Sequence, residues 1–341
     1  MLSVVVAAYN EETVIRQNAQ TITDYLKSEI DETWELILVD DGSSDATGDI
    51  ISELAAAEPR IIAVHHKHNY GQGRALRTAF KICRGEVIVT LDADLSYSTD
   101  HIRPMLEALQ QEHADIVLLS PYMKGGTTEN VPTKRLILSK IANRYLSAMG
   151  ALDVATLTCV VRAYQRETLD ALFLSCDGPE ILIEVLVKAS NLNFKVVEIP
   201  GHLHWRNEGD GRRRSKMRIA RSIGLYTKFG WLWRPSMVFI ALAALCLAPG
   251  LFMACALLFR VYEALVLSIE KFGLSLAFSN SLSSVFATYP YSFVICGGLL
   301  IIGLQCLAFG TIVMQSKANH DDSFLLGQEV LRELRELRRR D

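Results

Sequence analysis

The stretch Glu86-Val87-Ile88-Val89-Thr90-Leu91-Asp92-Ala93-Asp94 sets an apolar run directly before two carboxylates. A short run of Val, Ile and Leu with little polar alternation fits a strand covered on both faces. The design recurs upstream, where residues 3–8 run into Tyr9-Asn10-Glu11 and residues 35–39 into Asp40-Asp41-Gly42-Ser43-Ser44-Asp45. Further strands are expected at 61–65, 115–120 and 195–199, with helical spacing at 13–28, 46–57, 74–84, 99–112 and 179–189. Strands alternating with helices predict an α/β fold with a mostly parallel, Rossmann-like sheet over residues 1–208. Ligands of such sheets gather at the carboxyl ends of the strands, so the three acidic clusters are expected along one edge.

The chain has 341 residues, half of them apolar and 21% charged, with a formal net charge of −3. That composition excludes a disordered chain and argues against nucleic acid as a partner recognised by bulk basicity. Mean hydropathy is +0.20, and the apolar excess lies in the C-terminal third. Residues 237–259 and 291–314 carry no charge, and each is long enough to cross ~30 Å of hydrocarbon. Nine basic side chains between Arg206 and Arg234, against one Arg and one Lys in 260–290, place the N-terminal domain on the cytoplasmic side of a two-helix transmembrane hairpin. Residues 209–234 are expected to form a basic amphipathic segment on the membrane lipids, 235–316 the anchor and 317–341 a cytoplasmic amphipathic tail. Residues 272–290 are apolar enough either to lie in the interface or to re-enter, and self-association through anchor and tail stays open. Residues 2–8 are too short and lack the basic start of a signal peptide. Seven cysteines without a C-x-x-C pair read as buried small hydrophobes in a reducing compartment.

Carboxylates after strands can be turn formers or helix caps, and Ser44 or Asp45 suits a cap for the helix from residue 46. Three acidic clusters on one sheet edge repel each other unless a cation sits among them. Hard oxygen ligands without His or Cys favour Mg2+ or Mn2+, held by Asp92 and Asp94 and completed by substrate phosphates.

With these residues the chain resembles the GT-A glycosyltransferases of family two, most closely the polyprenyl-phosphate hexosyltransferases. The resemblance runs from Met1 to about Lys216, on Ala8-Tyr9-Asn10-Glu11, Val39-Asp40-Asp41-Gly42-Ser43, Gly71-Gln72-Gly73-Arg74-Ala75-Leu76, Asp92-Ala93-Asp94-Leu95, Tyr122-x-x-Gly125-Gly126, Pro132-x-x-Arg135-x-x-x-Ser139 and Ser215-Lys216. It implies that Ala7, Tyr9, Glu11, Val39, Asp41 and Ala93 surround the donor nucleotide. It implies that Asp92 and Asp94 hold the diphosphate through the metal and are the catalytic pair, with Ser96 standing where relatives have a Gln ligand. Arg135, Ser139 and Arg206 would hold the acceptor phosphate. The implied partners are a nucleotide-diphosphate sugar, of GDP-mannose or UDP-glucose type, and polyprenyl phosphate at the cell membrane. Ser120-Pro121-Tyr122 lacks the Arg that many members carry between Ser and Tyr, and Lys124 or Arg162 are the candidates to replace it. The three successive arginines Arg212-Arg213-Arg214 have no assigned role.

Two other readings stand beside this one. The acceptor could be another lipid or glycan, or the chain could be a non-catalytic membrane scaffold with a vestigial nucleotide-sugar fold. The glycines in 71–76 follow the third strand and lack the full dinucleotide fingerprint, so tight backbone packing near the donor suits them better. His65, His66 and His68 read as solvated histidines at a strand end, on alternate faces.

Overall fold

The computed structural model describes every residue except 134, 135, 138, 142, 145–153, 205–234 and 341. Two compact units emerge, Met1–Tyr226 and Thr227–Asp341.

In the first unit β1 (Leu2–Ala8), α1 (Ile15–Glu29), β2 (Trp34–Asp40), α2 (Thr47–Ala57), β3 (Ile61–His65), α3 (Gln72–Ile82) and β4 (Val87–Asp92) alternate strictly. There follow α4 (Ile102–Gln111), β5 (Ile116–Ser120), β6 (Thr127–Glu129), β7 (Arg162–Gln165), α5 (Arg166–Ala171), α6 (Ile181–Asn191), β8 (Val196–Pro200) and β9 (His202–His204). Seven strands form one sheet in the order β3-β2-β1-β4-β7-β5-β8, and β6 pairs with β9 apart from it. All pairings in the large sheet are parallel except those of β7, which runs antiparallel between β4 and β5.

Every residue of β2 and β5 is buried, as continuous apolar strands between helical layers require. Helix α1 shows the complementary pattern, burying Ile15, Asn18, Ala19, Ile22, Thr23 and Leu26 at spacings of three and four. These side chains and those of β1, β2 and β4 make one core. Register sets the functional edge, because Ala8 pairs with Asp40 and Ala7 with Asp92, bringing the three acidic strand ends side by side. All seven cysteines are free.

The second unit comprises α7 (Pro235–Phe272), α8 (Leu274–Thr288) and α9 (Pro290–Arg340). Apolar stretches Ser236–Ile269 and Pro290–Ser316 are long enough to cross a membrane, and their most apolar parts are mostly left unburied within the protein, unlike core helices of a soluble domain. Cys296 Sγ lies 3.4 Å from the Gly250 carbonyl oxygen, Gly303 faces Leu247 and Gly310 faces Phe239, so α7 and α9 run antiparallel with glycines at the close approaches. Both helices outrun the uncharged stretches seen in the sequence, because hydropathy marks a span whereas backbone hydrogen bonding continues through Arg260 and Lys317. Residues 274–288 form a helix of about 22 Å at 1.5 Å per residue, too short to span. The segment 209–234 lies outside the described residues.

Candidate active site

Three turns build the site. In the first, Asn10 adopts a left-handed backbone (φ 53°) and is laced to the turn after β2. Its N–H donates to Ser43 Oγ (2.9 Å), its Oδ1 accepts from Ser44 N (2.8 Å), and Glu11 N donates to Thr47 Oγ1 (2.7 Å). Tyr9 and Glu11 are thereby held at the mouth of the sheet. Asp45 accepts from Thr47 N (3.1 Å) and Thr47 Oγ1 (2.6 Å), serving the start of α2 as expected.

In the second turn Asp41 is buried and its carboxylate is engaged through both oxygens. Oδ1 faces His66 Nδ1 at 2.7 Å and accepts from Tyr70 N at 3.1 Å, while Oδ2 accepts from Gly71 N at 2.8 Å. His66 Nε2 meets Thr78 Oγ1 at 3.0 Å. His66 is therefore a packed partner of Asp41 and not the solvated histidine expected from sequence, whereas His65 and His68 are exposed. This clamp sets Asn69, Gly71 and Gln72 on the rim. Gly71 (φ 102°) and Gly73 run so close to the backbone of 176–178 that a Cβ on either would sit within 2.6 Å of a carbonyl oxygen.

The third turn carries Asp92, Ala93 and Asp94. Buried Asn18 of α1 donates Nδ2 to the Ala93 carbonyl (2.8 Å), and Leu95 N bonds Asp92 O (3.1 Å) with Leu95 at φ 49°. Ser96 donates both its N–H (2.9 Å) and its Oγ hydrogen (2.5 Å) to Asp94 Oδ1. Desolvation first, and then the charge of Asp94, pushes the Asp92 carboxyl up to about 7. Such a pair is short of positive charge. Hard oxygens from Asp92, Asp94 and Ser96 fit a divalent cation that draws its other ligands from substrate. Among the described residues, no third acidic, His or Cys side chain completes a cage with the two aspartates.

The three turns enclose a cleft of about 350 Å³ lined by Ala7, Ala8, Tyr9, Glu11, Asp41, Asn69, Gly71, Gln72, Ala75, Asp92, Ala93 and Asp94. Seven of the residues expected around donor and metal thus line one cavity. Val39 and Ser96 do not: Ser96 is half-buried and turned onto Asp94, and Val39 is fully buried in β2, paired with Ala7 and Val64, because the strand faces the helical layers one residue before the edge is reached. Arg162 cannot replace the missing arginine of 120–122. It is 0% exposed, and its guanidinium donates to the carbonyls of Cys159 (2.7 Å), Leu157 (2.7 Å) and Leu182 (2.6 Å). Lys124 is exposed. Arg135, Arg206 and Arg212-Arg213-Arg214 lie outside the described residues. Ser139 is half-buried and accepts from Tyr122 OH at 2.8 Å. Sequence reasoning missed Asn18, whose only signal is a polar residue on the apolar stripe of α1, and Asn69, whose loop is aimed by Asp41.

A parallel sheet whose acidic strand ends enclose an open cleft, with one antiparallel strand inserted, is the architecture of a GT-A glycosyltransferase domain. The chain belongs to glycosyl transferase family 2, whose model matches residues 3–173. It is similar to polyprenol monophosphomannose synthase of Mycolicibacterium smegmatis, 35% identical over 204 residues covering 58% of this chain and 75% of that protein. Dolichyl-phosphate beta-glucosyltransferase ALG5A of Trichomonas vaginalis is 30% identical over 242 residues, covering 66% of this chain and 71% of that one. Undecaprenyl-phosphate 4-deoxy-4-formamido-L-arabinose transferase of Klebsiella pneumoniae is 32% identical over 214 residues, 62% of either chain. Among solved structures, glucosyl-3-phosphoglycerate synthase of Mycobacterium tuberculosis with Mn2+ and UDP aligns at 20% identity and a TM-score of 0.48, over 67% of this chain and 79% of that one. That likeness is too distant to bring its ligands to this chain.

Proposed function

We propose that this glycosyltransferase moves one hexose from a nucleotide-diphosphate sugar to a polyprenyl phosphate at the cytoplasmic face of the cell membrane, with inversion at the anomeric carbon. The observation that carries this is the meeting of Tyr9, Glu11, Asp41, Asp92 and Asp94 around one cleft, in a chain whose second unit supplies two membrane-length apolar helices. The names of the relatives, which speak of polyprenol, dolichyl and undecaprenyl phosphates, agree with it.

In this scheme Tyr9, Glu11, Asp41 and the backbone at Ala7 and Ala93 hold the nucleotide. Asp92 and Asp94, with Ser96, would hold Mg2+ or Mn2+, which when bound acts as a Lewis acid on the departing diphosphate. Ser139 takes the acceptor phosphate, with Arg135 and Arg206 assigned to the same anion. A phosphate monoester has its second pKa near ~6 and is largely dianionic at neutral pH. The nucleophile therefore arrives already charged, and the protein contributes chiefly by placing the two substrates in line. A lipid acceptor also accounts for the apolar unit, since an isoprenoid can be met only at a bilayer.

The test is incubation of membranes holding the protein with labelled UDP-glucose or GDP-mannose, undecaprenyl phosphate and Mg2+ or Mn2+. Label entering the lipid phosphate with one donor is the expected result. If calorimetry shows metal-dependent binding of a nucleotide sugar while no lipid is labelled, another acceptor is in use. If nothing binds, the catalytic assignment falls and the scaffold reading stands.

A further inference from the structure

Strand β9 is three residues long, and its backbone is held from both sides. On one side it pairs in parallel with β6, Thr127 against His202 and Glu129 against His204. On the other lies the turn that follows Asp94. Leu203 forms an antiparallel bridge with Tyr97, His204 N donates to the Ser96 carbonyl (2.9 Å), and His202 N donates to His101 Nε2 (3.1 Å). Residues two apart share one edge of a strand, so one edge of β9 meets a carbonyl and then an imidazole. The His101 ring stands where a longer ladder would offer a second carbonyl.

Its partners dictate its protonation. The Ser98 carbonyl, 2.9 Å from Nδ1, can only accept, and the His202 N–H can only donate. Nδ1 therefore carries the hydrogen and Nε2 presents its lone pair. A protonated ring would set N–H against N–H and release the strand. The ring is 7% exposed and packs edge-on against Tyr97 (centroids 5.9 Å) and beside His202 (5.5 Å). Those two and Asp100 of its own turn are the titratable groups that face it. Burial is the largest influence and lowers the imidazole below its ordinary value. The Ser98 carbonyl and Asp100 oppose that and His202 adds to it.

Strand β9 joins two parts of the site. The turn at 94–96 is the proposed metal edge. On the other side Gly201 N donates to the Ser120 carbonyl (3.0 Å), and β6 continues the chain from Tyr122, whose hydroxyl holds Ser139 (2.8 Å). We infer that His101 is a positioning residue, whose neutral imidazole clasps β9 to the turn of Asp94 and Ser96 and so sets the acceptor side of the site against the metal side. What the two sides hold rests on the proposed transfer to a lipid phosphate, whereas the clasp does not.

The test compares the full-length wild type with His101→Phe and His101→Gln in detergent. Phenylalanine keeps the aromatic packing and removes the acceptor nitrogen. Glutamine carries an amide oxygen at the reach of Nε2 and never becomes a cation. Amide hydrogen exchange over residues 201–204 should quicken roughly fivefold or more in His101→Phe and stay near wild type in His101→Gln. Unchanged exchange in His101→Phe overturns the clasp. In transfer assays at neutral pH, His101→Phe should raise the acceptor KM roughly two- to tenfold without moving the donor KM, and His101→Gln should restore it. Equal losses in both variants speak for packing alone and overturn the inference. The pH profile gives a second readout, which decides the matter even if His101→Phe fails to fold. The acceptor phosphate (second pKa near ~6) and Asp92 titrate in both wild type and His101→Gln, so the ratio of their kcat/KM values isolates His101. That ratio should fall severalfold as pH drops below ~6.5, because only the wild type can be protonated there. A ratio that stays level overturns the inference. If the wild type labels no lipid phosphate, the acceptor reading fails while hydrogen exchange still decides the clasp.

Discussion

Tyr122 donates its phenolic hydrogen to Ser139 Oγ across 2.8 Å, and the Asn143 amide lies 3.4 Å from the same oxygen. A serine hydroxyl has two acceptor positions and one hydrogen. With both positions addressed from inside the domain, the hydrogen of Ser139 is left to donate outward, the polarity an anionic acceptor requires. Removing the phenol frees Ser139 to rotate. Tyr122→Phe should therefore raise the KM for the acceptor roughly two- to tenfold, the value of one neutral hydrogen bond. The donor KM should stay put. Steady-state kinetics varying each substrate in turn checks this, and an equal rise in both constants would refute it.

Asp94 is exposed, and the hydrogen bonds it accepts come from Ser96 within its own turn. An amide oxygen accepts those bonds as well, so Asp94→Asn should keep the fold and the melting temperature. It removes a charge at the place where a divalent cation is proposed. Turnover should fall at least a hundredfold, on the order of several kcal/mol of lost leaving-group stabilisation. Calorimetry should show nucleotide-sugar binding that no longer responds to Mn2+. Full activity with metal present would sink the assignment of Asp92 and Asp94.

The fold was legible where one strand type meets one environment. β1, β2, β4 and β5 are apolar runs because helices cover both faces, and the acidic edge followed from that alone. Strand β7 was not legible, because Arg162-Ala163-Tyr164-Gln165 is four residues long and places an arginine in the core. That charge is tolerable only because three carbonyls, brought in from residues 157, 159 and 182, surround it. No local pattern announces such a cage, which is why Arg162 read as a surface phosphate ligand. Asn69 stayed hidden for the complementary reason. Its place on the rim depends on the grip of Asp41 on backbone N–H groups some thirty residues away. The small β6–β9 sheet, three residues per strand, carries no periodicity to read.

That grip yields its own prediction. Asp41 accepts from Tyr70 N and Gly71 N and pairs with His66, so its charge organises the loop that brings Asn69, Gly71 and Gln72 to the cleft. Asp41→Asn turns one acceptor into a donor facing a backbone N–H, a mismatch of about 1–3 kcal/mol. Donor binding should weaken roughly tenfold or more by calorimetry. Acceptor KM should change little. Unaltered nucleotide affinity would show that the loop is held without Asp41.

Glu35 and Glu184 are two of the carboxyls that shape how the domain meets acid, beside Glu58, which Arg60 and Lys27 hold down at about 2. Burial pushes Glu35 up, but hydrogen bonds from Ser3 Oγ (2.7 Å), Arg84 N (2.6 Å) and Arg84 Nε (2.9 Å) outweigh it and hold the carboxyl below its ordinary range. Glu184 behaves alike: burial raises it, and Lys188 (2.8 Å), Ser175 Oγ (2.7 Å), Ser175 N (2.9 Å) and Cys176 N (2.9 Å) bring it down. A carboxyl lowered on folding contributes stability that is complete above its unfolded pKa, near ~4.3 for Glu, and is lost as pH falls through the lower folded value. In thermal unfolding of the detergent-solubilised protein these two contributions should be lost below about pH 5, whereas Asp92, whose carboxyl is raised to about 7, works in the opposite sense and favours the folded state as pH falls through that value. Glu35→Gln should cost roughly 1–3 kcal/mol at pH 7 and lessen the loss in acid, because the amide no longer titrates. Glu184→Gln should in addition impair donor binding at neutral pH. It secures Ser175 and Cys176, which lead into the 176–178 backbone packed on Gly71 and Gly73 beside the cleft. A Glu35→Gln protein whose acid limb is as steep as the wild type's would show that other carboxylates carry the transition.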